Sequence, residues 1–304
     1  MRALTLALTL LVGCNDGGAL PPKEFDGQRA LQYIQAQLAF GPRIPGKPGH
    51  ERMAAWLDSL LRTRADSVVV QRWTHRAANG DTLHLVNFVA RFKPAAPTRL
   101  LFLAHWDTRP KADGPASRDS TLPVPGANDG GSGVAVLLGM ADALKQTPPG
   151  IGVDLLFVDG EDYGDFNTDT DVLLGSRYYA THLLPGPLPK FAVLFDMIGD
   201  KDLRIPQEGL SLTAAPDVVD LVWSLAARMG YSNVFVAEEQ GALTDDHVPL
   251  QQAGIRAIDL IDFTFGGPQN QWHHTPDDTI DKVSAASLQI VGDVGMGLVR
   301  TTKP

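Results

Sequence analysis

Four stretches of the chain are apolar on nearly consecutive residues: Leu100–Ala104, Val153–Val158, Phe191–Phe195 and Ile255–Ile261. Strands that are apolar on both faces belong to a sheet covered on both sides. Helical spacing lies around and between them, over Ser132–Lys145, Gly175–His182, Asp217–Met229 and Ser284–Arg300. Ahead of them, Leu31, Ile34 and Leu38 recur at helical intervals within Asp26–Phe40, and that pattern stops at Gly41-Pro42. Gly41–Gly49 reads as a loop and His50–Arg62 as a second helix. Val68–Val70, and then Val86, Phe88, Ala90 and Phe92 on one face, predict a pair of strands. Strand–helix alternation over roughly 200 residues predicts one α/β domain, a three-layer α/β/α sandwich around a mixed, mainly parallel sheet. No internal repeat and no linker divides it.

The start of the chain follows a different pattern. Met1-Arg2 precedes ten largely apolar residues, Ala3–Val12. A bilayer-spanning helix needs about 20, so this run reads as the core of a signal peptide. It ends in Leu11-Val12-Gly13-Cys14, and Cys14 is the only cysteine in the chain. The segment resembles the lipobox of bacterial lipoproteins, which implies a signal peptide over 1–13, lipidation at Cys14 and a tether over 14–25. The expectation is an exported protein, periplasmic or at the cell surface, held to a membrane through its lipid alone.

Composition narrows the partners. Of 304 residues, 26 are Lys or Arg and 35 are Asp or Glu, a formal charge of −9. A nucleic-acid-binding surface needs a basic face, so nucleic acid is excluded as an expected partner. Most of these carboxylates are ordinary solvated charges, and position must decide which are functional.

Position singles out several. In open α/β sheets, ligand sites form beyond the carboxyl ends of the strands. Leu100–Ala104 is followed by His105-Trp106-Asp107, Val153–Val158 by Asp159-Gly160-Glu161-Asp162, and Phe191–Phe195 by Asp196. Gly126–Gly133 is a glycine-rich turn with Asp129 at its centre, opening a helix. Trp272-His273-His274-Thr275 stands near the C-terminus. A lone strand-end Asp is usually a cap or a surface charge. Imidazoles and carboxylates gathered at one sheet edge form a ligand set for zinc or a related divalent ion. His105 and Asp107 are two residues apart, so Asp107 is expected to accept a proton from the far nitrogen of a ligating His105. Glu161 and Asp162 are adjacent, so one can hold a metal while the other serves as general acid and base.

Competing motifs fail. Gly41–Lys47 fits a phosphate-binding loop except that Pro48 replaces its Ser/Thr, and Pro42 and Pro45 remove amide donors. His50-Glu51 begins a zincin motif, but Ala54 occupies the second histidine position. Ser132 lacks the glycine that a nucleophile elbow needs at Val134.

These segments together resemble the M28 metallopeptidase family, and within it the glutaminyl-peptide cyclotransferase branch. The resemblance covers roughly residues 26–300. It is carried by Gly41-Pro42-Arg43, His105–Pro110, Gly126–Gly133, Asp159–Gly164, Leu174–Arg177, Asp196–Gly199, Thr244–His247 and His274–Asp278. It implies a zinc-dependent catalytic domain over 26–304, with Asp129, Asp162 and His274 as metal ligands and Glu161 as proton shuttle. Asp196 and Asp245 complete the acid network, and Trp272 forms a substrate wall. The family's two-metal aminopeptidases imply a second ion on His105 and Asp196, bridged by Asp129, so one or two Zn²⁺ are expected. Three departures stand out: Asp162 where many relatives have Glu, His273 between Trp272 and His274, and Asp259 where animal cyclases have histidine. The implied reaction cyclises the N-terminal glutamine of peptides, with an aminopeptidase as the alternative and a catalytically silent peptide-binding lipoprotein as a third reading. All three take a peptide with a free N-terminus. His247 is expected to serve packing or a helix start, and Arg109 and Arg177 to be surface or loop-fixing residues.

Overall fold

The computed structural model describes residues 20–304. The expected signal peptide and the expected lipidation site Cys14 lie outside the described residues. Six strands form the central sheet: β1 (Ser67–Arg76), β2 (Thr82–Phe92), β3 (Arg99–His105), β4 (Gly152–Val158), β5 (Ala192–Asp196) and β8 (Ala257–Ile261), in the order β1-β2-β4-β3-β5-β8. β1 and β2 are an antiparallel pair, β2 runs antiparallel to β4, and β4, β3, β5 and β8 are parallel. The sheet is mixed and mainly parallel, as its apolar runs predict. β3 and β4 are buried at every position.

One face of the sheet packs on α1 (Gly27–Leu38), α2 (Pro48–Arg62), α3 (Gly131–Gln146), α6 (Pro216–Arg228) and α8 (Ala285–Thr301), around Phe88, Phe102, Phe157 and Phe195. The other face packs on α4 (Leu174–Thr181) and α7 (His247–Gln252) through Tyr179 and Leu250. The alternation along the strands explains this split: Phe102 and Ala104 face one layer, Leu101 and Leu103 the other. Two of the helices begin at a side chain that accepts an orphan amide. Asp26 caps α1 by accepting the amide of Arg29 at 2.9 Å, and Ser284 caps α8 through Ser287.

Among the described residues the sequence pattern misses five short elements, β6 (Ile205–Gln207), α5 (Gly209–Ala214), β7 (Phe235–Glu239), α7 and the 3-10 turn Ile280–Lys282. Each spans too few residues to show a period. The described residues just ahead of α1 also pack on the domain. Phe25 is buried against Gly139 of α3 and Gly292 of α8, and Glu24 pairs with Arg300 at 2.6 Å. The aromatic ring docks the chain on α3 and α8 at Phe25.

Candidate active site

The parallel strands end at one edge, and the chain leaves each of them carrying a functional side chain. His105 is the last residue of β3 and pairs in register with Val158, three residues before Glu161. Asp196 ends β5 beside Ile261 of β8. Asp129 lies in the turn before α3. Gly130 follows it at φ 72°, where a side chain would collide with the Asp107 carbonyl and the His105 ring. Asp245 precedes α7, and His273-His274 lie in the loop after β8.

The fold brings the expected ligands together. His274 Nε2 is 3.1 Å from Asp162 Oδ1 and 3.6 Å from Asp129 Oδ2. His105 Nε2 is 3.1 Å from Asp129 Oδ1 and 3.2 Å from Asp196 Oδ1. Asp129 therefore turns one oxygen to each of two groups. Asp129 Oδ2 and Asp162 Oδ2 are buried without a hydrogen-bond partner, a costly arrangement unless a cation takes their lone pairs. His274 stands close to an oxygen of each carboxylate, a donor set that fits a zinc ion, and Asp129, His273 and His274 lie near enough to one another to share one.

Surrounding groups hold this cluster in place. Asp278 accepts the amides of Asn128 and Asp129 at 2.8 and 3.1 Å, while the Asn128 side chain bridges to Met197 and Gly199. Beneath them the fully buried Arg43 donates to the carbonyls of Trp106, Pro125 and Gly126. Asp107 takes a different role from the one expected of it. Its oxygens lie 3.1 Å from the amides of Glu161 and Asp162, and it stands 3.6 Å from His105 Nδ1, too far for a hydrogen bond. It fixes the loop that carries both acids. Arg109 is no surface residue: buried, it clamps Asp113 at 2.6 and 2.8 Å, and Asp113 lies 3.5 Å from His274 Nδ1. Arg177 does lie outside, paired with Asp169.

Burial sets the charges. It pushes Glu161 well above the usual carboxylate range, helped by the like charges of Asp162 and Asp245 and opposed by His105. Burial and the charge of Asp196 raise Asp245 to about 7. Asp162 is driven the other way: His274 and Arg109 overcome its burial and hold it far below its ordinary value. Burial and the neighbouring His274 lower His273 to about 4. Asp259 is buried 3.8 Å from His247 Nδ1, and His247 starts α7 with Nε2 3.3 Å from Glu208.

A cavity of about 650 Å³ opens on this cluster, lined among others by Glu161, Asp196, Asp245, Leu243, Phe263 and His273. Trp272 does not line it. Its ring packs edge-on against Phe265 with Lys282 over its face, so the expectation of a wall at Trp272 is corrected. The residues at the wall are His273 and Phe263, in edge contact at 5.1 Å between ring centres. The signal that could have found His273 is its position directly before the candidate ligand.

Residues 87–299, from β2 through α8, match the profile of peptidase family M28. The chain belongs to this family. It is 33% identical to the aminopeptidase YwaD of Bacillus subtilis over 59% of its length, a stretch that spans 38% of that longer relative. The solved glutaminyl cyclase of Porphyromonas gingivalis superposes with a TM-score of 0.86 at 36% identity, over 90% of this chain and 98% of that one. A Zn-dependent exopeptidase from Parabacteroides distasonis gives 0.87 at 33%, over 93% and 100%. The M28 assignment and the fold agree with the order of motifs along the chain.

Proposed function

We propose that the protein is a zinc-dependent glutaminyl-peptide cyclotransferase. The observation that carries this reading is the match with the solved P. gingivalis cyclase along nearly the whole of both chains at 36% identity. Asp129, Asp162 and His274 would hold the ion, which when bound polarises a substrate carbonyl. Glu161 takes the proton. The α-amine of an N-terminal glutamine attacks its own side-chain amide carbon, a carbon–nitrogen bond forms, and Glu161 receives the proton that the amine gives up. The bond to the amide nitrogen then breaks, and Glu161 returns that proton to the leaving ammonia. A carboxyl raised by burial is suited to both transfers. The cavity walls hold amine and amide in attack geometry, and Asp196 and Asp245 face the same space.

One observation favours a second reading, an aminopeptidase. Asp129 is shared between the His274 group and the His105–Asp196 group, an arrangement suited to two ions. Products decide. Zinc-loaded protein is incubated with Gln-peptides and Leu-peptides, and the products are identified by mass. Cyclisation lowers the mass by one ammonia with every peptide bond intact. Free leucine released faster than any glutamine cyclises would overturn the cyclase reading.

A further inference from the structure

His50 begins an incomplete zincin motif in the sequence, and the fold gives it a different place. It lies in the first turn of α2, buried against the exits of two strands. Its Nε2 is 2.8 Å from Oδ1 of Asp159, the residue that follows β4. Its ring stacks on Trp106, the residue that follows β3, with centres 4.3 Å apart and planes 20° apart. Both partners are also tied to one residue of β2. Asp159 Oδ2 accepts the Val86 amide at 2.7 Å, and the Trp106 indole donates to the Val86 carbonyl at 3.2 Å.

These two exits carry the candidate chemistry. Asp107 follows Trp106 and accepts the amides of Glu161 and Asp162. Glu161 follows Asp159 across Gly160, which turns the chain at φ 72°. The place of Glu161 therefore depends on how far apart the two exits stand, and His50 bonds to one while packing on the other. A buried imidazole–carboxylate pair adds little net stability, since apolar side chains of similar volume often serve as well. What it adds is direction, because a hydrogen bond fixes the carboxylate where apolar contact would let it turn.

We propose that His50 is a positioning residue for Glu161. Through Asp159 and Trp106 it sets the spacing of the two strand exits, and with it the place of the Glu161 carboxyl in the cavity. His50 is not among the cavity's lining residues, so it acts through these neighbours. The proposal rests on the reading of Glu161 as proton carrier, and the test separates the two.

Three variants divide the contacts. His50→Gln keeps a donor near the place of the ring nitrogen. His50→Phe keeps a ring on Trp106 and loses the donor. His50→Phe/Asp159→Asn does the same without stranding a buried carboxylate, the change most damaging to folding. Each is checked for native circular dichroism and then assayed on Gln-peptides. In both Phe variants kcat should fall by about 10–10²-fold, up to the cost of misplacing a catalytic group by roughly 1 Å. KM and zinc content should stay those of wild type, and His50→Gln should recover most of the loss. Hydrogen exchange over residues 159–162, read without any turnover, should be faster in the Phe variants than in wild type or His50→Gln. Wild-type exchange and kcat in the double variant, or equal losses in it and in His50→Gln, overturn the positioning role and leave the proton-carrier reading standing. Full turnover in Glu161→Gln overturns both.

Discussion

Arg109 reaches Asp162 twice, with one guanidinium nitrogen 3.1 Å from its main-chain oxygen and 3.2 Å from its carboxylate Oδ1. The same side chain grips Asp113, which faces His274. One buried cation thus aligns the supports of two candidate ligands, and its planar fork is what allows both contacts. Arg109→Lys keeps the charge and loses the fork. Zinc affinity should fall about 10–100-fold, the cost typical of losing an outer-shell partner. Competition with a chelator measures it, and the exposed Arg177→Lys should leave affinity unchanged.

Glu161 separates metal binding from proton transfer. It lines the cavity beside Asp162, and its backbone is fixed through Asp107. Glu161→Gln preserves shape and removes the titrating group. Turnover should drop by about 10²–10⁴-fold, the usual worth of general acid–base catalysis. Zinc content by mass spectrometry should remain that of wild type. Loss of zinc together with activity would make Glu161 a ligand rather than a proton carrier.

Glu208 makes stability depend on pH. Burial alone would raise its pKa, but His247, the amides of Leu210, Ser211 and Leu243, and the Ser211 hydroxyl lower it from 4.5 to about 2. A carboxylate lowered by folding stabilises the protein fully above its unfolded pKa and loses that contribution as pH falls toward its folded one. The window is therefore from about pH 4.5 down to about 2. Thermal midpoints of wild type and Glu208→Gln should differ at pH 6 and converge as the pH is lowered through this range. A constant difference would show that the hydrogen bonds are retained without the charge.

Arg43 carries a structural prediction. It is fully buried, and its guanidinium serves three carbonyls in the loops that hold the site. Arg43→Met leaves those acceptors without a donor, at about 1–3 kcal/mol each. Urea unfolding should show a loss of at least about 3 kcal/mol with an unchanged slope. A loss below that would show that water or another donor takes over the carbonyls.

Much of this protein was legible in its sequence because the information is local. Runs apolar on both faces require a covered sheet, and an acid or imidazole directly after such a run must emerge at the strand's carboxyl edge. That reasoning locates His105, Glu161, Asp162 and Asp196 at one edge before any fold is known. What remained hidden depends on chain crossings. Asp278 meets Asp129 across 149 residues, Arg43 meets Gly126 across 83 and Arg109 meets Asp162 across 53, and no periodicity encodes such pairings. Which neighbour faces the cavity was also beyond the sequence. Alternation assigns sides only while the backbone stays extended, and the left-handed turn at His274 breaks it. That turn sends Trp272 into packing against Phe265 and brings His273 to the wall beside His274. Local polarity chose the edge of the sheet; tertiary packing chose which side chains meet there.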